Sequence, residues 1–138
     1  MKILINPTLK EEVYMKKIGV IPARMAASRF PGKPLYPILE MPMIEHVYLR
    51  AKMYHGWDKL YLATCDREIE DFANAKGIPV IMTGSHHTRA LDRIAESIEL
   101  LDEPISDDDI VVNVQGDEPM MRPDMIDAVM SPLFENKN

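Results

Sequence analysis

A short apolar segment that runs directly into a basic loop is the strongest constraint on the fold. Residues 17–22 have the composition of a buried strand, and Arg24, Arg29 and Lys33 follow within a ten-residue stretch. Because α/β proteins present backbone N–H groups and cations to phosphates in such loops, the segment predicts an anion site, although it contains neither a P-loop nor a G-x-G-x-x-G motif. Three fixed positive charges neutralise a triphosphate better than they match a monophosphate. The alternative is a solvated, proline-stiffened loop whose arginines pair with surface carboxylates.

The rest of the chain alternates between predicted strands and helices. Strands are predicted at residues 17–22, 59–64, 79–82 and 109–114, and helices at residues 43–55, 67–76, 90–101 and 123–133. Asp66 and Gly77 stand where the helix at 67–76 needs an N-cap and a C-cap. Strands joined by helical crossovers imply a mostly parallel sheet with helices on both faces. Ligands of such sheets bind at the carboxyl ends of the strands, where the basic loop and the turn at 115–117 both fall.

Composition indicates one domain of ordinary polarity. The chain has 138 residues, of which 46% are hydrophobic, so it is long and apolar enough to bury a core. Its net charge of −6 argues against a broad surface for binding nucleic acid. The single Cys65 cannot form an intramolecular disulfide, which fits a reducing compartment. No apolar run approaches the roughly 18 residues of a membrane span, and no signal-peptide pattern leads the chain. We therefore expect a cytoplasmic protein without membrane insertion.

The first residues stand apart from the α/β pattern. We interpret residues 1–14 as a translated leader or loose tail, with Met15 as the natural start, because the first strand begins just after Met15. A short strand at residues 2–5, added to the edge of the sheet, is an equally good alternative. The folded domain is predicted to cover residues 15–138.

Two motifs resemble those of a known enzyme family. Residues 21–35 read Ile-Pro-Ala-Arg-x3-Ser-Arg-x-Pro-Gly-Lys-Pro-Leu, and residues 110–119 read Ile-Val-Val-Asn-Val-Gln-Gly-Asp-Glu-Pro. With Pro-Met-Ile-Glu-His-Val at 42–47 and Ala-Thr-Cys-Asp at 63–66, they are similar to the sugar-acid cytidylyltransferases, above all to the 3-deoxy-manno-octulosonate cytidylyltransferase (CMP-Kdo synthetase) family. The resemblance implies a Rossmann-like nucleotidyltransferase sheet, of which residues 15–138 would be the nucleotide-binding, N-terminal part.

Asp117 is the candidate metal ligand. It follows Gly116 and the strand at 109–114, which we expect to be the most buried strand. A carboxylate there can reach Mg²⁺ at a reacting phosphate, and Mg²⁺ usually takes only one or two protein carboxylates. The alternative is a turn residue or helix cap before Pro119. The neighbouring Glu118 is expected to point the other way.

The resemblance implies roles for further residues. Arg24 and Lys33 would contact the triphosphate of CTP and, with Asp117, carry the catalysis. The residues that would bind the nucleotide are Ala23, Arg24, Ser28, Arg29, Gly32, Lys33 and Gln115. Arg93 and Gln115 would contact the sugar. For Gln115, an amide that only stabilises the turn by hydrogen bonding is an equally good alternative. CTP and a sugar acid are the implied partners, and Mg²⁺ is the implied cofactor.

One stretch departs from the family pattern. Members usually carry Ser-Gly-Thr, an acidic residue and Arg at the start of the third helix, whereas residues 89–93 read Arg-Ala-Leu-Asp-Arg. Asp92 and Arg93 match, but Ala removes room for close backbone approach and Leu removes a hydroxyl. The identity of the sugar and the choice of cytosine therefore stay open, and Arg89 could meet a different anion. The two histidines at 86–87 lack a further ligand at metal-site spacing and are interpreted as a polar loop.

Three functions remain open because the family continues well beyond the length of this chain, which looks truncated. The first is a cytidylyltransferase that converts CTP and a 3-deoxy-octulosonate-type acid to a CMP-sugar and pyrophosphate, for lipopolysaccharide or surface-polysaccharide synthesis. The second is a related nucleotidyltransferase for another sugar, such as an acylneuraminate type. The third is a nucleotide-binding fragment that is inactive without a complementing C-terminal half. Homodimerisation is a family expectation.

Overall fold

A four-stranded parallel sheet forms the centre of the part of the chain that the structure describes. The computed structural model describes residues 15–26, 29–116 and 122–135, so the predicted leader at 1–14 lies outside the described residues. The elements are β1 (Lys17–Pro22), β2 (Pro37–Ile38), β3 (Met41–Pro42), α1 (Met43–Lys52), β4 (Lys59–Thr64), α2 (Arg67–Lys76), β5 (Val80–Met82), α3 (Ala90–Glu99), β6 (Ile110–Asn113) and α4 (Pro123–Glu135). The main sheet has the order β5-β4-β1-β6 with every neighbouring pair parallel.

Helices cover both faces of this sheet. Ile21 and Leu62 point to the face that packs against α1, α2 and α4. The alternate residues Val20 and Ala63 point to the opposite face, where Ile94 of α3 packs. This division follows from the two-residue period of a strand, and a parallel sheet needs cover on both faces. The predicted fold class is thereby confirmed. Within the described residues, no helix has the length and apolar character needed to cross a membrane.

The predicted elements are confirmed in type and order, with differences at their ends. Strands β1 and β4 and helix α2 have the predicted bounds. Helix α1 ends at Lys52 rather than at residue 55, because the N–H groups of Met53 and Tyr54 bond to carbonyls three residues back, at 3.2 and 3.1 Å, and so form a tighter turn. Helix α3 ends at Glu99 rather than at residue 101.

The expectation that β6 is the most buried strand is wrong. Among the described residues β6 forms one edge of the sheet, while β1 and β4 are internal. Ile110 and Val112 are buried, but Val111 and Asn113 are half-buried. The apolar composition of this strand reflects burial against the helices and not a central position in the sheet.

A small hairpin between the basic loop and α1 was not predicted. Strands β2 and β3 pair antiparallel around Leu39 and Glu40, whose φ angles are 51° and 68°. Two positive φ angles are typical of a tight hairpin turn, which usually contains Asn or Gly. The sequence carries no such turn signal at these positions, and each strand is only two residues long.

Candidate functional site

A cleft opens at the carboxyl ends of β1 and β6. Its main cavity has a volume of about 230 Å³. Its lining includes Ala23, Arg24, Lys33, Ala90, Gln115 and Gly116. The cleft therefore unites the basic loop, the turn after β6 and the start of α3, as the parallel topology predicts.

The backbone around Arg24 is fixed from both sides by the strand next to it. The N–H of Ala23 donates to the carbonyl of Ala63 at 2.9 Å. The N–H of Met25 donates to the Asp66 carboxylate at 2.7 Å. Asp66 stands at the N-cap position of α2 but makes no side-chain capping bond there, so its predicted role as a helix cap is wrong. Its carboxylate instead holds the segment that carries Arg24 against the end of β4.

Lys33 is presented by a tight turn that needs glycine before it. Gly32 has a φ of +78°, a conformation that side-chain-bearing residues rarely adopt. Its N–H donates to the carbonyl of Met25 at 2.8 Å. Lys33 then begins a short 3₁₀ turn whose next residue, Pro34, is buried. The base of the basic loop is thereby closed on itself, and Lys33 lines the cleft while Arg29 is exposed and does not line it.

The turn after β6 forms another wall of the cleft. The N–H of Val114 donates to the carbonyl of Val20 at 2.9 Å and so continues the pairing beyond the strand. A Cβ on Gly116 would lie 2.7 Å from the carbonyl oxygen of Pro22. Since that contact is with backbone, only glycine allows the turn to pack this closely against β1. Gln115 is exposed and lines the cleft.

A second cavity, of about 170 Å³, shares Arg24 and Ala90 with the first and is also lined by Arg89 and Arg93. The Arg93 side chain is deeply buried, at 3% exposure of the residue. Its Nε donates to Thr83 Oγ1 at 3.0 Å, and a terminal nitrogen lies 3.6 Å from the Cys65 sulfur. None of the ion pairs among the described residues includes Arg93. A buried cation without a carboxylate is costly unless an anion binds it.

The rim of the second cavity carries one internal ion pair. Arg89 Nε donates to Asp92 Oδ2 at 2.9 Å, and its terminal nitrogen donates to Oδ1 at 3.2 Å. This pairing lowers the pKa of the Asp92 carboxyl. Both side chains are largely exposed, so the pair adds little stability. It does keep the Asp92 carboxylate engaged with Arg89.

The predicted site residues have three different outcomes in position. Ala23, Arg24, Lys33 and Gln115 meet in the main cavity, and Arg93 lines the adjoining one. Gly32 shapes the loop without lining the cleft, and Arg29 is exposed and does not line the cleft either. Ser28 and Asp117 lie outside the described residues. Sequence reasoning missed Thr83, the hydrogen-bond partner of Arg93, since a single threonine after a short strand carries no signal of its own.

The parallel sheet with a cationic cleft at its carboxyl edge is an α/β fold of the nucleotidyltransferase type. The chain belongs to the cytidylyltransferase family, whose model matches residues 18–138. A solved CMP:2-keto-3-deoxy-manno-octonic acid synthetase complexed with CTP shares the fold, with a TM-score of 0.79 and 39% identity over 88% of this chain and 48% of that one. A solved 4-diphosphocytidyl-2C-methyl-D-erythritol synthase, with a TM-score of 0.70 and 14% identity over 91% of this chain and 57% of its own, shares the fold alone.

Two kinds of cytidylyltransferase are among the curated relatives. The chain is 49% identical over 117 residues to the 3-deoxy-manno-octulosonate cytidylyltransferase of Nitratidesulfovibrio vulgaris, over 85% of this chain and 46% of the relative. It is 47% identical over 121 residues to the 8-amino-3,8-dideoxy-manno-octulosonate cytidylyltransferase of Shewanella frigidimarina, over 88% of this chain and 48% of the relative. The chain thus spans about half the length of these relatives. The family predicted from the two motifs is confirmed.

Proposed function

We propose that this chain carries the CTP-binding part of a cytidylyltransferase that activates a 3-deoxy-octulosonate-type sugar acid. The reaction would join CTP and the sugar acid into a CMP-sugar and release pyrophosphate. The charge of the cleft is the observation that carries the proposal. Its two cavities are lined by Arg24, Lys33, Arg89 and Arg93, and no described lining residue is a carboxylate. Since both substrates are anions, a cleft of this charge suits them.

In this proposal Arg24 and Lys33 act on the triphosphate. The anomeric hydroxyl of the sugar attacks the α-phosphate, and the bond to the bridging oxygen of pyrophosphate breaks. Negative charge builds on the phosphate oxygens and on the leaving group during this step, so fixed cations stabilise it. The hydrogen bonds of Ala23 and Met25 hold the backbone on either side of Arg24 before substrate binds. This preorganisation reduces the rearrangement needed in the transition state.

The proposal includes a Mg²⁺ ion held by Asp117. Asp117 directly follows Gly116, a residue of the cleft lining. The described lining offers cations and the Gln115 amide, so a carboxylate at the next position would add the hard oxygen donor that Mg²⁺ prefers. Bound there, Mg²⁺ would neutralise charge at the reacting phosphate. Ser28 and Arg29 are proposed to support the phosphate-binding loop.

Arg93 is proposed to bind the carboxylate of the sugar acid, with Gln115 beside the ribose and sugar. Its burial and lack of a described ionic partner support this role. An 8-amino sugar would bring an ammonium group into a cleft whose described lining is cationic. Charge therefore favours the unmodified 3-deoxy-manno-octulosonate.

The resemblance implies that the product serves lipopolysaccharide or surface-polysaccharide synthesis, and we place the reaction in the cytoplasm, where CTP is made.

A complementing C-terminal half is proposed to complete the site, since the relatives are about twice as long as the matched region. The edge at β6 fits such an addition. Asn113 Oδ1 is buried and lacks a hydrogen-bond partner within the described residues. On α4, Met125, Val129 and Leu133 are 42%, 64% and 53% exposed and recur every four residues along the helix. An apolar helix face beside a strand edge suits further chain, with a homodimer as the alternative.

A fusion tests the proposed reaction. The chain would be joined to the remaining half of the Nitratidesulfovibrio relative and assayed for pyrophosphate release from CTP. The acceptors would be 3-deoxy-manno-octulosonate, its 8-amino analogue and an acylneuraminate. Release that depends on the first acceptor, and that Asp117→Ala abolishes, supports the proposal. Release with only another acceptor would reassign the sugar. If the fusion binds CTP but releases no pyrophosphate with any acceptor, the result would contradict the proposed reaction and indicate that the chain only binds nucleotide.

A further inference from the structure

Two histidines and a glutamate form a cluster beside the cleft. One ligand atom from each of His86, His87 and Glu96 can be chosen so that all lie within 4.8 Å of one another. The sequence gives this cluster no familiar spacing, because Glu96 lies nine residues after His87. Helix α3 carries Glu96 back beneath the loop that holds the histidines. Residues 86–87 do lie in a loop, as predicted, but the expectation that no further ligand group lies near them is wrong.

Hydrogen bonds bring two members of this cluster together. Both oxygens of Glu96 accept from the N–H of Gly84 at 3.1 Å. The His87 Nε2 contacts Glu96 directly, and the His87 side chain is only 11% exposed. The His86 ring lies with its centroid 4.1 Å from that of His87, and residue 86 is exposed. Two ligands are thus already brought together, and the third is exposed to solvent.

We propose that His86, His87 and Glu96 bind a divalent transition-metal ion of the zinc type. Two imidazoles and one carboxylate are a donor set that Zn²⁺ accepts, with a fourth position for water. Mg²⁺ does not favour imidazole, so the site differs in chemistry from the magnesium site proposed at Asp117. The ion would enter between His87 and Glu96, which would separate to admit it.

The cluster touches the cleft through one residue. Thr88 lines the open groove that contains His86, His87 and Glu96, and it also lines the cavity of Arg89 and Arg93. An ion that binds both histidines would fix the backbone immediately before Thr88. The site is therefore placed to order the loop between β5 and α3 on the sugar side of the cleft.

Cobalt binding tests the proposal independently of catalysis. The untagged chain would be titrated with Co²⁺, whose visible absorption reports imidazole coordination, and Zn²⁺ would then be added to displace it. We expect saturable binding of one ion, displacement by Zn²⁺, and retention of Co²⁺ in excess Mg²⁺. His86→Ala and Glu96→Gln should each weaken binding at least tenfold.

The chain provides its own control because it contains four histidines. His55 is exposed and lies just after α1, so His55→Ala should leave binding unchanged. His86 is exposed, so His86→Ala gives a readout even where a change at the more enclosed His87 impairs folding. Absence of saturable binding would overturn the proposal. So would an equal loss of affinity in His55→Ala and His86→Ala.

Discussion

The carboxylate of Asp66 accepts a hydrogen bond from the backbone N–H of Met25 at 2.7 Å. This contact joins the second residue after β4 to the residue after Arg24, across 41 positions of the chain. Together with the bond from Ala23 to Ala63, it brackets the arginine on both sides. The strand next to β1 therefore determines where the basic loop begins. We regard the position of Arg24 as a property of the sheet and not of the loop alone.

Asp66→Ala should weaken CTP binding by about tenfold or more. A hydrogen bond to a charged group contributes about 1.5–3 kcal/mol, and its loss releases the backbone beside Arg24. Asp71→Ala, which changes an exposed carboxylate on the same helix, is the matched control. The measurement is calorimetric titration of each variant with CTP. Equal affinity in the two variants would show that the contact with Met25 does not organise the site.

Gly116→Ala should lower both stability and CTP affinity. The added Cβ would lie 2.7 Å from the Pro22 carbonyl oxygen, and relief of such a contact requires a backbone shift that costs about 1–3 kcal/mol. Chemical denaturation would give the loss in free energy of unfolding, and titration at a temperature where the variant is folded would give the affinity. A variant as stable as the wild type would contradict the close packing of this turn on β1.

Ser97→Ala should destabilise the protein more than Tyr61→Phe. Ser97 Oγ donates to the Ile94 carbonyl at 2.7 Å, so the hydrogen bond of 3.0 Å between the two hydroxyls has Tyr61 as its donor. Removing Ser97 leaves the buried tyrosine hydroxyl without this partner, at a cost of about 1–3 kcal/mol. Removing the tyrosine hydroxyl leaves Ser97 still bonded, at a cost of about 1 kcal/mol. Denaturant midpoints would give the order, and the reverse order would refute the assignment of donor and acceptor.

Asp109 makes stability depend on pH at the acid end. Its carboxylate accepts from the N–H groups of Lys16 and Ser106, both at 2.9 Å, and these bonds lower the pKa of Asp109. A carboxyl whose pKa is lowered by folding stabilises the protein at pH values above its ordinary pKa of about 3.9. That stability is lost as the pH falls through the folded-state pKa. Asp109→Asn should therefore be less stable at pH 7, and its difference from the wild type should shrink below about pH 4. A difference that does not change with pH would contradict this role.

The sequence predicts the edge of the sheet where the site forms better than it predicts how the site is held. Arg24 and Gln115 meet because each follows a parallel strand, and strand patterns are readable from sequence. Asp66 is predicted to be a helix cap because it directly precedes α2. Local spacing cannot reveal its hydrogen bond to Met25, which lies 41 residues away in the chain. The hairpin at Leu39 and Glu40 was missed because its turn residues are not those that usually adopt positive φ.

The longer-range relationships need the tertiary structure. Glu96 approaches the histidines only because α3 lies beneath their loop, and the deep burial of Arg93 depends on the packing of the same helix. Helical periodicity predicts from Ile94 which face of α3 is buried. It does not predict the hydrogen-bond partners of the neighbouring Arg93.

Calorimetric titration of the chain with CTP and Mg²⁺, with ATP, GTP, UTP and CMP for comparison, tests the proposed triphosphate site directly. We expect selective, magnesium-dependent binding of CTP. We also expect Lys33→Ala to weaken CTP binding far more than CMP binding, because Lys33 is assigned to the triphosphate. Lys59→Ala, at the opposite end of the strands, should change neither. The absence of CTP binding, or equal losses for CTP and CMP in Lys33→Ala, would contradict the proposed triphosphate site.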